Sequence, residues 1–254
     1  MLTPSAAKST LIFNIETVPD VVGLRLLHAL PAGLSDVEVA EFVFQKSRAV
    51  ADASDAPDTL PCHLHRIVSI ACVLHHEEQF RIISFSEPEH AEDVLIQRFF
   101  DLFGQDTQMI CLHGAGFDLP VLHARGLMHG VTARTYWNHA RETRLDLTET
   151  LAFDQPGALH ELATLCGFPG KPRLRGRQVW EAWRSGAIGE VSNYCETEAV
   201  SSYLVFLRFQ LMRGELDVTQ YAKEIQQVRE ALGRLDATRW RDFLDAWLLP
   251  KSGA

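Results

Sequence analysis

The stretch Leu11-Ile12-Phe13-Asn14-Ile15-Glu16-Thr17-Val18-Pro19-Asp20 is an apolar run interrupted by polar side chains at alternate positions. Its β-branched and aromatic residues favour a buried strand over residues 10–15. Successive side chains of a strand point to opposite faces, so Asn14 and Glu16 share one face and Phe13 and Ile15 the other. The strand therefore ends by presenting an amide and a carboxylate side by side.

The rest of the chain alternates between the two hydrophobic periods. Arg66–His75 and Gln79–Phe85 are rich in β-formers, and the polar break His76-Glu77-Glu78 between them predicts an antiparallel hairpin. Glu89–Phe103 places Val94, Leu95, Phe99, Phe100 and Phe103 at helical spacing. Met109–Leu112 reads as a second buried strand and Gly114-Ala115-Gly116 as a turn. Asp118 then stands where an N-cap would, with Pro120 in the first turn of an amphipathic helix. Asp146 reads as the cap of another helix, and 51–61 as a loop. Helical patterns cover 35–47, 146–153, 157–166, 177–185 and 188–212, the last closed by Gly214, and a helical tail runs over 218–232 and 238–249. This order predicts an α/β fold, a mixed sheet flanked by helices. The expected organisation is one domain over 1–215 and a C-terminal helical extension over 216–254, packed on or near it.

With 254 residues, 46% apolar and 22% charged, the composition is that of a soluble globular protein. No run of about 18 apolar residues predicts a membrane span, and the polar residues within 14–20 break any secretory signal. The five cysteines are scattered, without a CxxC pair. That spacing predicts reduced thiols, no zinc site and a cytoplasmic location. The formal charge of −9 argues against coating a long duplex. It leaves room for an enzyme that grips a strand end through a local basic patch, and Lys171, Arg173, Arg175 and Arg177 form such a cluster. His63, His65, His75 and His76 lack a fourth ligand at a sensible spacing and read as ordinary residues. Trp180, Trp183, Trp240 and Trp247 read as packing residues.

Hydrolysis of a phosphodiester by two divalent ions needs three or four carboxylates brought from different elements. The chain offers Asn14 and Glu16 on the first strand, Asp118 at a helix start, and Glu198 four residues after Tyr194, on one helical face. A tyrosine beside such a centre can position the attacking water.

In order and spacing these segments resemble the DEDDy group of 3′–5′ exonucleases on a ribonuclease H-like fold. More narrowly they are similar to the bacterial proteins related to the exonuclease domain of family B DNA polymerases. The resemblance rests on Ile12–Asp20, His113-Gly114-Ala115-Gly116-Phe117-Asp118-Leu119-Pro120-Val121-Leu122, Asp146-Leu147, Gly167–Lys171 with Gly176 and Val179, and Tyr194-Cys195-Glu196-Thr197-Glu198 through Arg208, covering most of 10–215. It implies catalytic roles for Glu16, Asp118, Tyr194 and Glu198, and two Mg²⁺ or Mn²⁺ ions held by Asn14, Glu16, Asp118 and Glu198. It implies substrate contacts from Thr17, His113, Phe117, Lys171 and Arg175 to the 3′ end of single-stranded DNA or RNA. The family has Asp at positions 14 and 198 and commonly Asn at 113. Asn14 keeps the shape of the ligand but loses its charge, and Glu198 keeps the charge but extends it by one methylene; the two departures together imply weakened metal binding and activity. The alternative is a catalytically inactive module that keeps the fold and binds nucleic acid or protein.

Overall fold

The computed structural model describes residues 9–51, 60–76, 79–112, 114–152, 158–169, 174, 176–235 and 238–248. In chain order, β1 (Ser9–Pro19) leads into α1 (Val21–His28) and α2 (Asp36–Ala51), followed by β2 (His65–His76), β3 (Gln79–Ser86), α3 (Glu92–Asp101) and β4 (Thr107–Cys111). Then come α4 (Leu119–His129), β5 (Leu145–Asp146), α5 (Leu147–Thr150), α6 (Ala158–Leu165), α7 (Gly176–Arg184), α8 (Ile188–Arg213), α9 (Val218–Gly233) and α10 (Thr238–Leu248). The strands form one sheet in the order β3-β2-β1-β4-β5. β1 runs antiparallel to β2 and parallel to β4, and β2 and β3 form the antiparallel hairpin that their polar break predicts. The mixed sheet with flanking helices is the architecture expected from the sequence.

The first strand is longer than its apolar run. Sequence periodicity ends it at residue 15, but pairing carries it to Pro19, because β2 offers partners as far as His65. The register shifts between Glu16, which faces Ser69, and Thr17, which faces Ile67. Such an irregularity bends and twists a strand locally and re-aims its side chains. Here it falls on the candidate acid.

Alternation along β1 sorts the core into two layers. Leu11, Phe13 and Ile15 pack with Leu95 and Phe99 of α3 and Leu119 and Leu122 of α4. Ile12 faces the other way, into a cluster with Cys195, Ala199 and Tyr203 of α8. Asn14 and Glu16 continue the Ile12 row toward the end of the strand. Val228 and Leu232 of α9 and Trp240 and Phe243 of α10 belong to this second cluster, so the helical tail shares the core of α8 and the sheet. Gly214 ends α8 at a positive φ of 72°, a conformation cheap only for glycine. Among the described residues no helix is long and apolar enough to cross a membrane.

A buried guanidinium fastens the end of β1 to both neighbouring layers. Arg125 of α4 donates to Asp20 Oδ2 at 2.5 Å, to Glu92 Oε1 at 2.7 Å and to Glu92 Oε2. Asp20 also accepts from the Gly23 backbone N–H at 3.0 Å, capping α1, and Glu92 accepts from the Ile67 N–H at 2.8 Å. All three charged side chains are nearly excluded from water.

Candidate active site

Asn14 lies between Glu16 and α8. Its Nδ2 donates to Glu16 Oε1 at 3.2 Å and approaches Cys195 Sγ at 3.6 Å, while the Cys195 thiol donates to the Asn14 carbonyl oxygen at 3.2 Å. These contacts confirm that residues 14 and 16 share a face, and they seat α8 on β1 at Cys195. Tyr194 is the preceding residue of α8, and Glu198 lies about one turn beyond Cys195. Burial, and then the negative charge of Glu16, push the Cys195 thiol well above its ordinary range. Cys195 is therefore a neutral packing residue and not a nucleophile.

Asp118 reaches the same end of the sheet through the turn that leaves β4. Because β1 and β4 are parallel, their C-terminal ends point the same way, the usual side for ligands in such sheets. The chain folds back over β4 in a π-helical turn, Gly114–Asp118. A Cβ on Gly114 would meet Cys111 Cβ at 2.5 Å and Sγ at 2.7 Å, so this approach requires glycine. Asp146 ties the turn down. It caps α5 by accepting from the Thr148 N–H at 2.9 Å, and its other oxygen accepts from the Ala115 N–H at 2.8 Å and the Cys111 thiol at 3.4 Å. Burial, with Asp146 and then Asp118 nearby, raises the Cys111 thiol as well. Asp118 stands at the N-cap position of α4 as expected, but its side chain makes no capping hydrogen bond, and its backbone is already helical.

Thr17 and Phe117, the neighbours of Glu16 and Asp118, both rest on His65. His65 Nδ1 lies 3.0 Å from Thr17 Oγ1, and His65 Nε2 lies 3.2 Å from the Leu60 carbonyl oxygen. A carbonyl only accepts, so Nε2 carries a proton; in the neutral ring the Thr17 hydroxyl then donates to Nδ1. The Phe117 ring meets the imidazole edge-on, with centroids 4.8 Å apart and planes at 88°. One buried histidine thus braces the segment beside Glu16 against the segment beside Asp118. Sequence spacing gave no sign of it, because its partners come from strands and turns distant in the chain. His65→Ala is expected to destabilise the fold by about 1–3 kcal/mol, the cost of leaving buried polar groups unmet. Urea unfolding measures this, and an unchanged midpoint would remove the brace.

Of the other expected substrate contacts, His113, Lys171 and Arg175 lie outside the described residues, as does Arg173. Arg177, from the same basic cluster, is paired with Glu41 of α2 at 2.9 Å and lies over the Phe44 ring at 5.2 Å. It holds α7 to α2. Glu16, Asp118 and Glu198 are hard oxygen donors of the kind divalent ions take. Among the described residues, no three His, Cys, Asp or Glu side chains converge closely enough to hold an ion. Asn14 turns an N–H donor toward Glu16, and an N–H donor cannot ligate a cation. Carboxylate oxygens suit a divalent ion in kind; an amide that donates toward Glu16 does not.

A family model described as "predicted 3′–5′ exonuclease related to the exonuclease domain of PolB" matches residues 57–247. The chain belongs to this family. The span that places it among these exonuclease relatives contains Asp118, Tyr194 and Glu198 and runs through α9 into α10; β1, with Asn14 and Glu16, precedes it. The structure of the family B DNA polymerase from the hyperthermophilic archaeon Pyrobaculum calidifontis aligns with a TM-score of 0.53 at 17% sequence identity. The alignment covers 80% of this chain and 24% of the polymerase, so the chain spans about a quarter of that protein's length. At this identity the likeness shows the fold, the ribonuclease H-like arrangement implied by the sequence resemblance. No curated protein matches the chain.

Proposed function

We propose that the chain is a metal-dependent 3′–5′ exonuclease acting on the end of a single strand, weakened at position 14. The observation that carries this reading is the Asn14–Cys195 contact in a chain of this family. It supports the reading because Cys195, which meets Asn14, lies between Tyr194 and Glu198 in α8. The reaction is attack of water on the 3′-terminal phosphodiester, with release of a nucleoside 5′-monophosphate. Glu16, Asp118 and Glu198, with Asn14 as a neutral ligand, would hold Mg²⁺ or Mn²⁺; when bound, such ions activate water and offset charge on the phosphate. Tyr194 orients the water through its hydroxyl. Thr17 and Phe117, held by His65, together with His113, Lys171 and Arg175, contact the strand. Glu198 keeps the charge of an aspartate on a longer side chain.

The test is Mn²⁺-dependent release of mononucleotides from a 3′-labelled single strand, run in parallel on DNA and RNA. Slow release that stops with a chelator supports the reading. Tyr194→Phe is expected to lower the turnover by up to about 10²-fold while leaving strand KM unchanged; equal turnover would remove its role. A second reading, a binding module that keeps the fold without turnover, draws on the Asn14 amide turned toward Glu16. Calorimetric titration with Mn²⁺ separates the two: bound ions favour the enzyme, and strand binding without ions favours the module.

A further inference from the structure

Near the Asp118 turn, a second surface has the composition of a single-strand contact, and it uses none of the motif residues. Between α4 and β5 the chain makes a short π-helical turn, Tyr136–Ala140. Tyr136 is buried against Phe100 and Phe103, which anchors the turn, whereas Trp137 beside it is 48% exposed. The indole is not loose. The His123 ring of α4 lies against it at 4.9 Å with 34° between the planes, and the Arg141 guanidinium lies over it at 5.3 Å. His123 is itself fixed by a 2.7 Å hydrogen bond between Nε2 and the Tyr136 hydroxyl. The result is a short pile of flat groups on an anchored turn, with the tryptophan half exposed.

The charge around the pile is opposite to that of the whole chain. Residues 130–145 carry Arg134, Arg141 and Arg144 against a single carboxylate, Glu142, in a chain of formal charge −9. All three arginines are exposed; Arg144 is shared with Glu149 at 3.1 Å. Burial, and then the nearby Arg141 and Arg144, hold His123 below the ordinary histidine value, so the positive charge here belongs to the arginines. A half-exposed indole stacked with an imidazole and a guanidinium, among exposed cations, suits a ligand with stacked rings and anionic links, which is single-stranded nucleic acid. A membrane surface would call for a wider apolar face, and an acidic peptide would leave the indole without a stacking partner. His123 lies five residues beyond Asp118 on α4, roughly 7.5 Å along the helix axis. A strand whose 3′ end reached Asp118 would have this surface within a few nucleotides of that end.

We infer that Trp137, backed by His123 and Arg141, is a stacking platform for a base of a single strand held close to its 3′ end; the polarity rests on the exonuclease reading, and the stacking does not. The test measures binding of a fluorescent 12-nucleotide single strand to the full chain in a chelator by anisotropy, and Mn²⁺-dependent cleavage of a dinucleotide too short to span both places. Trp137→Ala is expected to weaken 12-mer binding roughly tenfold, with Trp137→Phe restoring most of it and dinucleotide cleavage unchanged. Arg141→Ala is expected to flatten the dependence of affinity on salt by roughly 0.7 in the log–log slope, one phosphate contact on a single strand. Equal 12-mer affinity in the parent and Trp137→Ala overturns the platform, and the exonuclease reading survives if the dinucleotide is still cleaved. Polyglutamate displacing the strand at equal charge concentration also overturns it, since charge alone would then explain binding. A parent chain that neither binds the 12-mer nor cleaves the dinucleotide removes the platform and the exonuclease reading together.

Discussion

Asn14→Asp is expected to raise Mn²⁺-dependent cleavage of a single strand by about 10²-fold, the scale of one well-placed electrostatic stabiliser. In the parent chain the Asn14 amide donates to Glu16 Oε1 at 3.2 Å and faces Cys195 Sγ at 3.6 Å. An aspartate there has no proton to give. It would place a second anion against Glu16 in a partly buried site, with a neutral thiol on the other side. Without metal the two carboxylates repel, so the variant should melt at a lower temperature than the parent in a chelator. A divalent cation between them reverses the sign, and the variant should gain more from Mn²⁺ than the parent does. An ion present at a hundred times its dissociation constant contributes about 2.7 kcal/mol by mass action, well within the reach of a melting experiment. Paired melting curves with and without Mn²⁺, together with nucleotide release, therefore test the position through two independent readouts. If the variant shows neither a larger metal-dependent shift nor faster release, Asn14 is not what limits the site. Glu198→Asp alone should move activity much less, because it shortens a proposed ligand without changing its charge.

How much of this was legible in the sequence follows from how far apart the interacting residues lie. The antiparallel hairpin and the long α8 rest on local hydrophobic periods, and a period can be read without knowing any partner. The end of β1 could not be read, since strand pairing with β2 continues past the last apolar residue and the register shift at Glu16 depends on both strands. Gly114 was visible as a turn; that Cys111 leaves no room for a side chain there was not. Asp146 was readable as a cap because its cap partners are two and three residues away. Its second bond, to the Ala115 N–H, spans 31 residues and has no signature. His65 looked ordinary for the same reason. Trp137 carries no helical spacing and so belonged to no pattern; only its exposure beside Arg141 sets it apart. Arg125 is the extreme case. Nothing in its neighbourhood along the chain marks it as buried, and the acids that bury it come from 33 and 105 residues away.

For that reason Arg125→Met should have the largest effect on stability of any substitution considered, a loss of about 3–5 kcal/mol, typical of breaking a buried ion pair from one side. The methionine fills similar volume, so the loss measures charge and hydrogen bonding more than packing. What remains is Asp20 and Glu92, both nearly excluded from water, without the guanidinium that donates to each of them. His129, 2.9 Å from Glu92 Oε2 and about a third exposed, can compensate only one of the two. Asp20 still caps α1 and Glu92 still accepts from the Ile67 N–H, so the fold need not change; the uncompensated charge is the cost. The deficit should therefore shrink as pH is lowered, because protonating an orphaned carboxylate removes the charge that costs energy, and the variant then binds protons more readily folded than unfolded. Urea unfolding at neutral and mildly acid pH gives both numbers. Cleavage should fall as well, since Arg125 lies two turns along α4 from Asp118 and joins that helix to Asp20 at the end of β1. A variant that unfolds at the parent's urea midpoint at both pH values would show that this network fastens nothing. A variant that is destabilised but cleaves at the parent rate would show that Glu16 and Asp118 keep their relation without it.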